Sequence, residues 1–547
     1  MSGWNFADVW ETVADTLPGA PALTHGRSTL SWSELDRRAD NVARYLLESD
    51  VTHRTKVSLY LYNCSEYLEA TFACLKIGLV PINTNYRYGD DELIYLWENA
   101  DTVVVVFHGA FADRIEGIRH RISGVRLWLW VDDGSGPCPD WAVAYESLAS
   151  AEGPADHERA RAPWGRGPDD LYMLYTGGTT GMPKGVMWRQ DDLFVRLNGA
   201  GFRHYPIDGG PDDVRAELER GGAGMTLLPA CPLMHGTGGF TALELLSEGG
   251  RLVTLTSRQF DPVELLDTVE SESVNGLIIV GDAFAQPILA NLDANPGRWD
   301  LSSLVGILSS GVMWSEETKA GLLRHHPGML LIDAFSSSEA IGMGSSVSSG
   351  DSAADTATFT LGPEVRVIDA NGHDVVPGWG QSGVLALGGR IPLGYYKDEA
   401  QTAATFPTID GVRYSVPGDY AEVDEDGSIR LLGRGSVSIN TGGEKVYPEE
   451  VEEVIKAIEG VADAVVVGIP NERFGEEIVA VVELQPGASE ESVRPEDVID
   501  HVKAKLASFK APRQVRFVPT IGRSPAGKVD YARIKGEATE WAVARVA

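Results

Sequence analysis

At 547 residues the chain exceeds the length over which a single hydrophobic core keeps growing, so two or more domains are expected. Its 43% hydrophobic and 23% charged residues are those of a globular protein and exclude a disordered one. A formal net charge of -33 opposes general attraction to nucleic acid or to anionic membrane surfaces, while leaving room for a local phosphate site built from a few residues and backbone amides. The N-terminus, MSGWNFADVWETVADTL, lacks a basic stretch followed by an apolar one, and no apolar run reaches membrane-spanning length. Cys64, Cys74, Cys138 and Cys231 show no metal-type spacing, so free thiols in a reduced, cytoplasmic compartment are expected.

In chain order, SWSELDRRADNVARYLLESD opens with Ser31 and Glu34 at capping-box spacing, and Leu35, Ala39, Val42 and Leu46 recur at helical intervals. Short β-branched or apolar runs follow: KVSLYLYN, TVVVVFH, LYMLYT, RLVTL, GLIIV, VGILSSG and MLLIDAF. Between them lie helix-length segments such as DPVELLDTVESES and SEETKAGLLRHH, an alternation that indicates α/β layers with substantial parallel sheet. From about Thr360 shorter strands and turns indicate a β-rich subdomain. After LLGRGSVSINTGGEK, the run YPEEVEEVIKAIEG predicts a helix with Pro448 in its first turn, an apolar face of Val451, Val454, Ile455 and Ile458, and Gly460 at its end. DAVVVGIP, EIVAVVELQPG and QVRFVP then read as strands. The expected architecture is a large N-terminal α/β domain, residues 1–433, with the β-rich subdomain, followed by a small mobile α+β C-terminal domain, residues 434–547.

The strongest local signal is LYMLYTGGTTGMPKGVMW, Leu171–Trp188. A buried strand runs into Thr176, Gly177, Gly178, Thr179, Thr180 and Gly181, then Pro183 and Lys184. Glycines let backbone wrap a phosphate chain, hydroxyls donate to its oxygens, and Lys184 adds charge. Pro183 before the lysine sets it apart from a Walker A loop. A plain surface turn would need neither the threonines nor the lysine.

YTGGTTGMPKGV resembles the signature loop of the adenylate-forming superfamily: acyl-CoA synthetases, peptide-synthetase adenylation domains and firefly-type luciferases. Gly177 stands where the usual pattern has serine, removing one hydroxyl donor. Further segments follow in the family's order over nearly the whole chain. By that resemblance, His235 in CPLMHGTGGF borders the carboxylate pocket, and Gly238, Gly239 and Phe240 shape its wall. Ser309, Ser310 and Gly311 in SSGVMWS, and Asp333, Ala334, Phe335 and Ser338 in DAFSSSEAIG, are implied nucleotide contacts, with Phe335 stacking on adenine. Glu339 and Thr179 are implied oxygen ligands for Mg²⁺. Asp419, on the SVPGDY turn, is implied to accept the ribose hydroxyls, and Arg434 to contact ribose or phosphate. Gly442 and Gly443 let the chain approach the pantetheine arm of coenzyme A. Ser436 occupies the hinge position, where relatives carry aspartate or lysine. Lys528, in the SPAGK turn, matches the lysine that reaches over the site during adenylation.

The resemblance implies an AMP-forming acyl-CoA synthetase using ATP, Mg²⁺ and coenzyme A on a small-molecule carboxylic acid, with no nucleic-acid partner; a homo-oligomer is left open. Lys184, His235, Glu339 and Lys528 carry the chemistry in this reading. MPKGVMWRQDDLF, with Trp188, resembles an actinobacterial branch that includes steroid side-chain CoA ligases, so the expected acid is a sterol side-chain carboxylate, with a medium or long fatty acid second. Gly238, Gly239, Gly281 and Gly311 either leave room for a wide ligand or reflect tight backbone turns. Two rivals remain: an acyl-AMP ligase loading a carrier protein, and an inert nucleotide sensor.

Overall fold

The computed structural model describes residues 3–546 apart from 153–157, 177–181, 313, 351, 435–436, 442–443, 472–474, 507 and 524–528. Two large sheets organise the first four-fifths of the chain. In the smaller, of eight strands, Lys56–Tyr60, Val80–Asn83, Thr102–His108 and Leu127–Val131 run parallel, and the antiparallel pair Leu171–Thr176 and Lys184–Arg189 joins beside Val80–Asn83. In the larger, of thirteen, the parallel strands include Thr226–Pro229, Gly276–Ile279, Gly306–Ser310 and Leu330–Ser337. Each of the seven apolar runs from KVSLYLYN to MLLIDAF forms a strand, and Val80–Asn83 and Gly276–Ile279 are buried along their whole length, as parallel strands between helices are.

The stretch after Thr360 is β-rich, as expected. Its strands do not form a separate sheet: Thr358–Leu361 pairs with Ala340–Ser349, and 429–434, 419–423, 382–387 and 365–368 extend the thirteen-stranded sheet antiparallel from there. Short strands joined by tight turns look self-contained in sequence, whereas the free edge of Ala340–Ser349 recruits them.

The N-terminal helices Phe6–Thr16 and Trp32–Glu48 close one end. Ser31 and Glu34 make the reciprocal capping box, with Glu34 N–H donating to Ser31 Oγ at 3.3 Å and Ser31 N–H to Glu34 Oε2 at 2.8 Å. Leu35, Ala39, Val42 and Leu46 are all buried. Lys76, fully buried, donates to Glu11 at 3.0 Å and to Asp36, and lies 3.1 Å from Asp40. Arg161 and Arg166 add ion pairs to Glu11, and Arg159 pairs with Asp36 at 3.0 Å, tying the 159–166 segment to both helices.

From Ile439 onward the chain has its own five-stranded sheet and two cores. Alternate residues of Val461–Asn471 and Gly475–Leu484 face opposite sides. Ala464, Val466, Ile478 and Ala480 pack under helices Pro448–Lys456 and Pro495–Lys505, while Val465, Val467, Val479 and Val481 pack under Tyr531–Val546. The first helix ends at Lys456, before the expected Gly460. Gly460 instead turns the chain into the next strand at φ +89°. No helix among the described residues is long and apolar enough to cross a membrane, and all four cysteines are free.

Candidate active site

The site gathers where the two sheets meet. Leu171–Thr176 and Lys184–Arg189 form a hairpin closed by the Thr176–Lys184 pair. Its connection holds Gly177, Gly178, Thr179, Thr180 and Gly181, which lie outside the described residues. Lys184, at the base, sits 3.7 Å from Asp398 and 5.5 Å from the ring centre of Tyr395. The Tyr395 hydroxyl donates to Glu339 Oε1 at 2.8 Å. Two more bonds hold that turn: Trp188 Nε1 donates to Ser338 O at 3.0 Å, and Ser415 Oγ to Glu339 O at 2.7 Å. Lys184 and Glu339 are thus joined through one tyrosine. Glu339 is half-buried, a hard oxygen donor beside the hairpin. That suits Mg²⁺, which is commonly held by one or two carboxylates together with substrate phosphates. Among the described residues no group of three or more His, Cys, Asp or Glu side chains is placed to hold a metal by itself.

Tyr395 and Asp398 were not singled out in the sequence. They reach the site because Gly394–Tyr395 pairs antiparallel with Lys184–Arg189, more than two hundred residues away in the chain. The only local signal is a glycine followed by two tyrosines, a lysine and an aspartate.

At the carboxyl ends of the parallel strands, where α/β sheets bind ligands, Ser309 lies beside Asp333 and Ser310 beside Ala334. Ser309 Oγ accepts the Gly281 N–H at 2.9 Å, and Gly311 turns the chain at φ +95°. Phe335 is half-buried, its ring 5.5 Å from Phe359. Burial pushes the Asp333 carboxyl up to about 7 against the pull of Lys319, and Asp282 and Glu453 push the same way. Asp282, also buried, is raised to about 6. Lys319 is buried, and its Nζ meets no hydrogen-bond acceptor among the described residues. Asp419 opens the strand Asp419–Val423, directly across from Arg434, so these two candidates are brought together.

His235 is the residue before helix Gly236–Ser247. Gly238 and Gly239 are buried in the first turn, where a Cβ would stand 2.6 Å from Pro232 O and 2.7 Å from Leu233 O. They bring the helix against its own leading loop, which favours the tight-backbone reading over added room. Phe240 follows, 6.2 Å from the Tyr172 ring. Two asparagines hold the 231–235 loop. Asn63 bonds Cys231 O at 3.0 Å and Leu233 N at 2.8 Å, and Asn83 bonds Met234 O at 2.7 Å.

From the C-terminal part, Ser436, Gly442, Gly443 and Lys528 lie outside the described residues, as does the Arg434 side chain. The flanks of the Lys528 segment are anchored: Arg523 pairs with Asp463 before it, and Tyr531 OH donates to Glu452 at 3.0 Å after it.

The chain matches the AMP-binding enzyme family over residues 10–396 and the AMP-binding enzyme C-terminal domain over 450–528. It belongs to that family, and within it is an acid–thiol ligase. It is 40% identical over 537 residues, 96% of this chain and 95% of the other, to the medium/long-chain-fatty-acid–CoA/3-oxocholest-4-en-26-oate–CoA ligase of Mycolicibacterium smegmatis. To the 3-oxocholest-4-en-26-oate–CoA ligase of Rhodococcus rhodochrous it is 39% identical over 546 residues, 97% and 96% of the two chains. Its fold matches the crystal structure of an anthranilate CoA ligase in complex with anthranoyl-AMP, with a TM-score of 0.84 at 20% identity over 100% of this chain and 99% of that one.

Proposed function

We propose that the protein converts a steroid side-chain acid, or a medium- or long-chain fatty acid as second choice, to its coenzyme A thioester through an acyl-adenylate. What carries the substrate assignment is the near-full-length similarity to ligases named for those acids. What supports the chemistry is the linked trio of Lys184, Tyr395 and Glu339 at the mouth of the phosphate hairpin.

In the first step a carboxylate oxygen attacks the α-phosphorus of ATP and the bond to pyrophosphate breaks. Lys184 and the 176–181 segment hold the phosphates, Phe335 stacks on adenine, Asp333 and Ala334 meet the base edge, and Asp419 and Arg434 hold the ribose. Ser309, Ser310, Gly311 and Ser338 complete the nucleotide cradle. Glu339 and Thr179 are the oxygen ligands for Mg²⁺, which when bound neutralises phosphate charge. His235 and Phe240 border the acid, with Gly281 and Gly311 at its far side. Lys528 bridges the carboxylate and α-phosphate, then withdraws as residues 434–547 turn about Ser436. Gly442 and Gly443 then admit the pantetheine arm. The thiol sulfur bonds to the acyl carbon, AMP leaves, and the thiol proton passes to solvent.

The test is CoA-dependent AMP formation with a steroid acid and a fatty acid, comparing wild type with Lys528→Ala. The variant is expected to lose adenylation by roughly two to three decades, about 3–4 kcal/mol, and still to convert supplied acyl-AMP. Pyrophosphate release without CoA use moves the protein to the carrier-loading class. A chain that binds ATP and turns over no acid is a sensor. Acetate or benzoate outperforming both acids overturns the substrate assignment.

A further inference from the structure

Asn83 is the last residue of strand Val80–Asn83, and it is buried. The strand meets Leu171–Thr176 in parallel register at Ile82 and Met173. Beyond that point the Asn83 side chain takes over. Its Oδ1 accepts the Tyr175 N–H at 2.6 Å, and its Nδ2 donates to Tyr175 O at 2.8 Å. The carboxamide thus reproduces one rung of a sheet ladder. The second Nδ2 proton goes to Met234 O at 2.7 Å, in the loop that leaves the other sheet. Tyr175 immediately precedes Thr176, where the phosphate hairpin opens, and Met234 immediately precedes His235. One planar amide therefore sets the distance between two chain segments carried by different sheets. Only a primary amide offers two donors and an acceptor in that plane. Asn63 holds the same loop at Cys231 and Leu233, on the loop side alone.

We propose that Asn83 is a positioning residue for adenylation, fixing the phosphate hairpin against the His235 loop so that carboxylate and α-phosphate meet in line. This rests on the reading that the hairpin holds ATP and the His235 loop borders the acid. It singles out one of the two half-reactions. The acid and ATP approach from the two segments Asn83 joins, whereas thioester formation starts from an adenylate whose halves are already covalently joined. Displacements near 1 Å cost about 100-fold in a reaction that depends on orientation.

The experiment compares Asn83→Asp, Asn83→Ala and Asn63→Ala with wild type in the full chain. It reads pyrophosphate release with ATP and a steroid or fatty acid, thioester formation from supplied acyl-AMP and CoA, and the melting temperature. Asn83→Asp keeps the volume and the acceptor for Tyr175 N–H and loses both donors; if it fails to fold, Asn83→Ala supplies the comparison. The expected result is an adenylation kcat lowered about 10- to 100-fold with thioester formation within about threefold of wild type. Asn63→Ala is expected to raise the KM for the acid with a smaller effect on kcat. Equal slowing of both half-reactions, or a lowered melting temperature with adenylation unchanged, overturns the proposal. Wild type that releases no pyrophosphate with any acid overturns the underlying reading instead.

Discussion

Asp333 is the residue at which burial and recognition pull against each other. Its carboxyl sits under the proposed adenine site, is raised to about 7 by burial, and faces Lys319 from helix Glu316–His325, Asp282 from the neighbouring helix and Glu453 from the C-terminal part. An ionised carboxylate accepts the exocyclic amino group of adenine better than a protonated one does. Ionisation increases with pH, so the KM for ATP should fall as the pH rises through about 7 and level off above it. Asp333→Asn should flatten that profile, and Lys319→Met should move it to higher pH by removing the opposing charge. Initial rates across a pH series read both. A profile for Asp333→Asn that matches wild type would sink the assignment. Asp333 was legible in the sequence from its place beside Phe335 and Glu339. Lys319 was not, because a lysine on an amphipathic helix looks solvated until the helix is docked.

At the scale of elements, the helix Gly236–Ser247 and the loop before it behave as one unit. Gly238 approaches Pro232 O so closely that an added methyl forces the helix off its seat, and the contact is with backbone, which gives little. Gly238→Ala is expected to destabilise the protein by about 1–3 kcal/mol and to raise the KM for the acid, since His235 moves with the helix. Urea unfolding with steady-state kinetics checks both, and unchanged stability would mean the loop yields without cost. The two glycines were visible in CPLMHGTGGF, and their reason was not: the same letters serve a roomy pocket or a close backbone approach, and only the Pro232–Gly238 distance separates the two.

Across the whole molecule, the N-terminal helices are fastened to helix Ser65–Lys76 by charge in a place where water is excluded. Lys76 faces Glu11, Asp36 and Asp40 from full burial. Lys76→Met leaves those carboxylates without their shared cation, and breaking such a buried set is expected to cost about 3–5 kcal/mol, measured by denaturant unfolding at neutral pH. Burial pushes Glu11 up, but hydrogen bonds from Arg166 and Arg161 and the charge of Lys76 outweigh it and hold the carboxyl well below the usual range. Its contribution is therefore complete above the unfolded carboxylate pKa of about 4.3 and is lost as the pH falls below it. Acid unfolding of wild type should begin there, and a Glu11→Gln variant should be less stable at neutral pH with a shallower acid limb.

By itself the amino-acid sequence determined the strands and helices, the α/β class, the separate small C-terminal fold and the family. The first three rest on short-range pattern, period-two or helical spacing and caps; the family rests on the resemblance of YTGGTTGMPKGV and of the segments that follow it in order. The tertiary structure decided what joins those pieces. It made the 358–434 strands an extension of the large sheet, ended the Pro448 helix at Lys456, set Tyr395 between Lys184 and Glu339, and placed Asn83 across the two sheets. The helix end is local, with Gly460 turning the chain at φ +89°; for the other three the physical reason is common. A free sheet edge, a docked turn and a buried amide take their partners from chain segments tens to hundreds of residues away, and a residue's own neighbours carry no record of them.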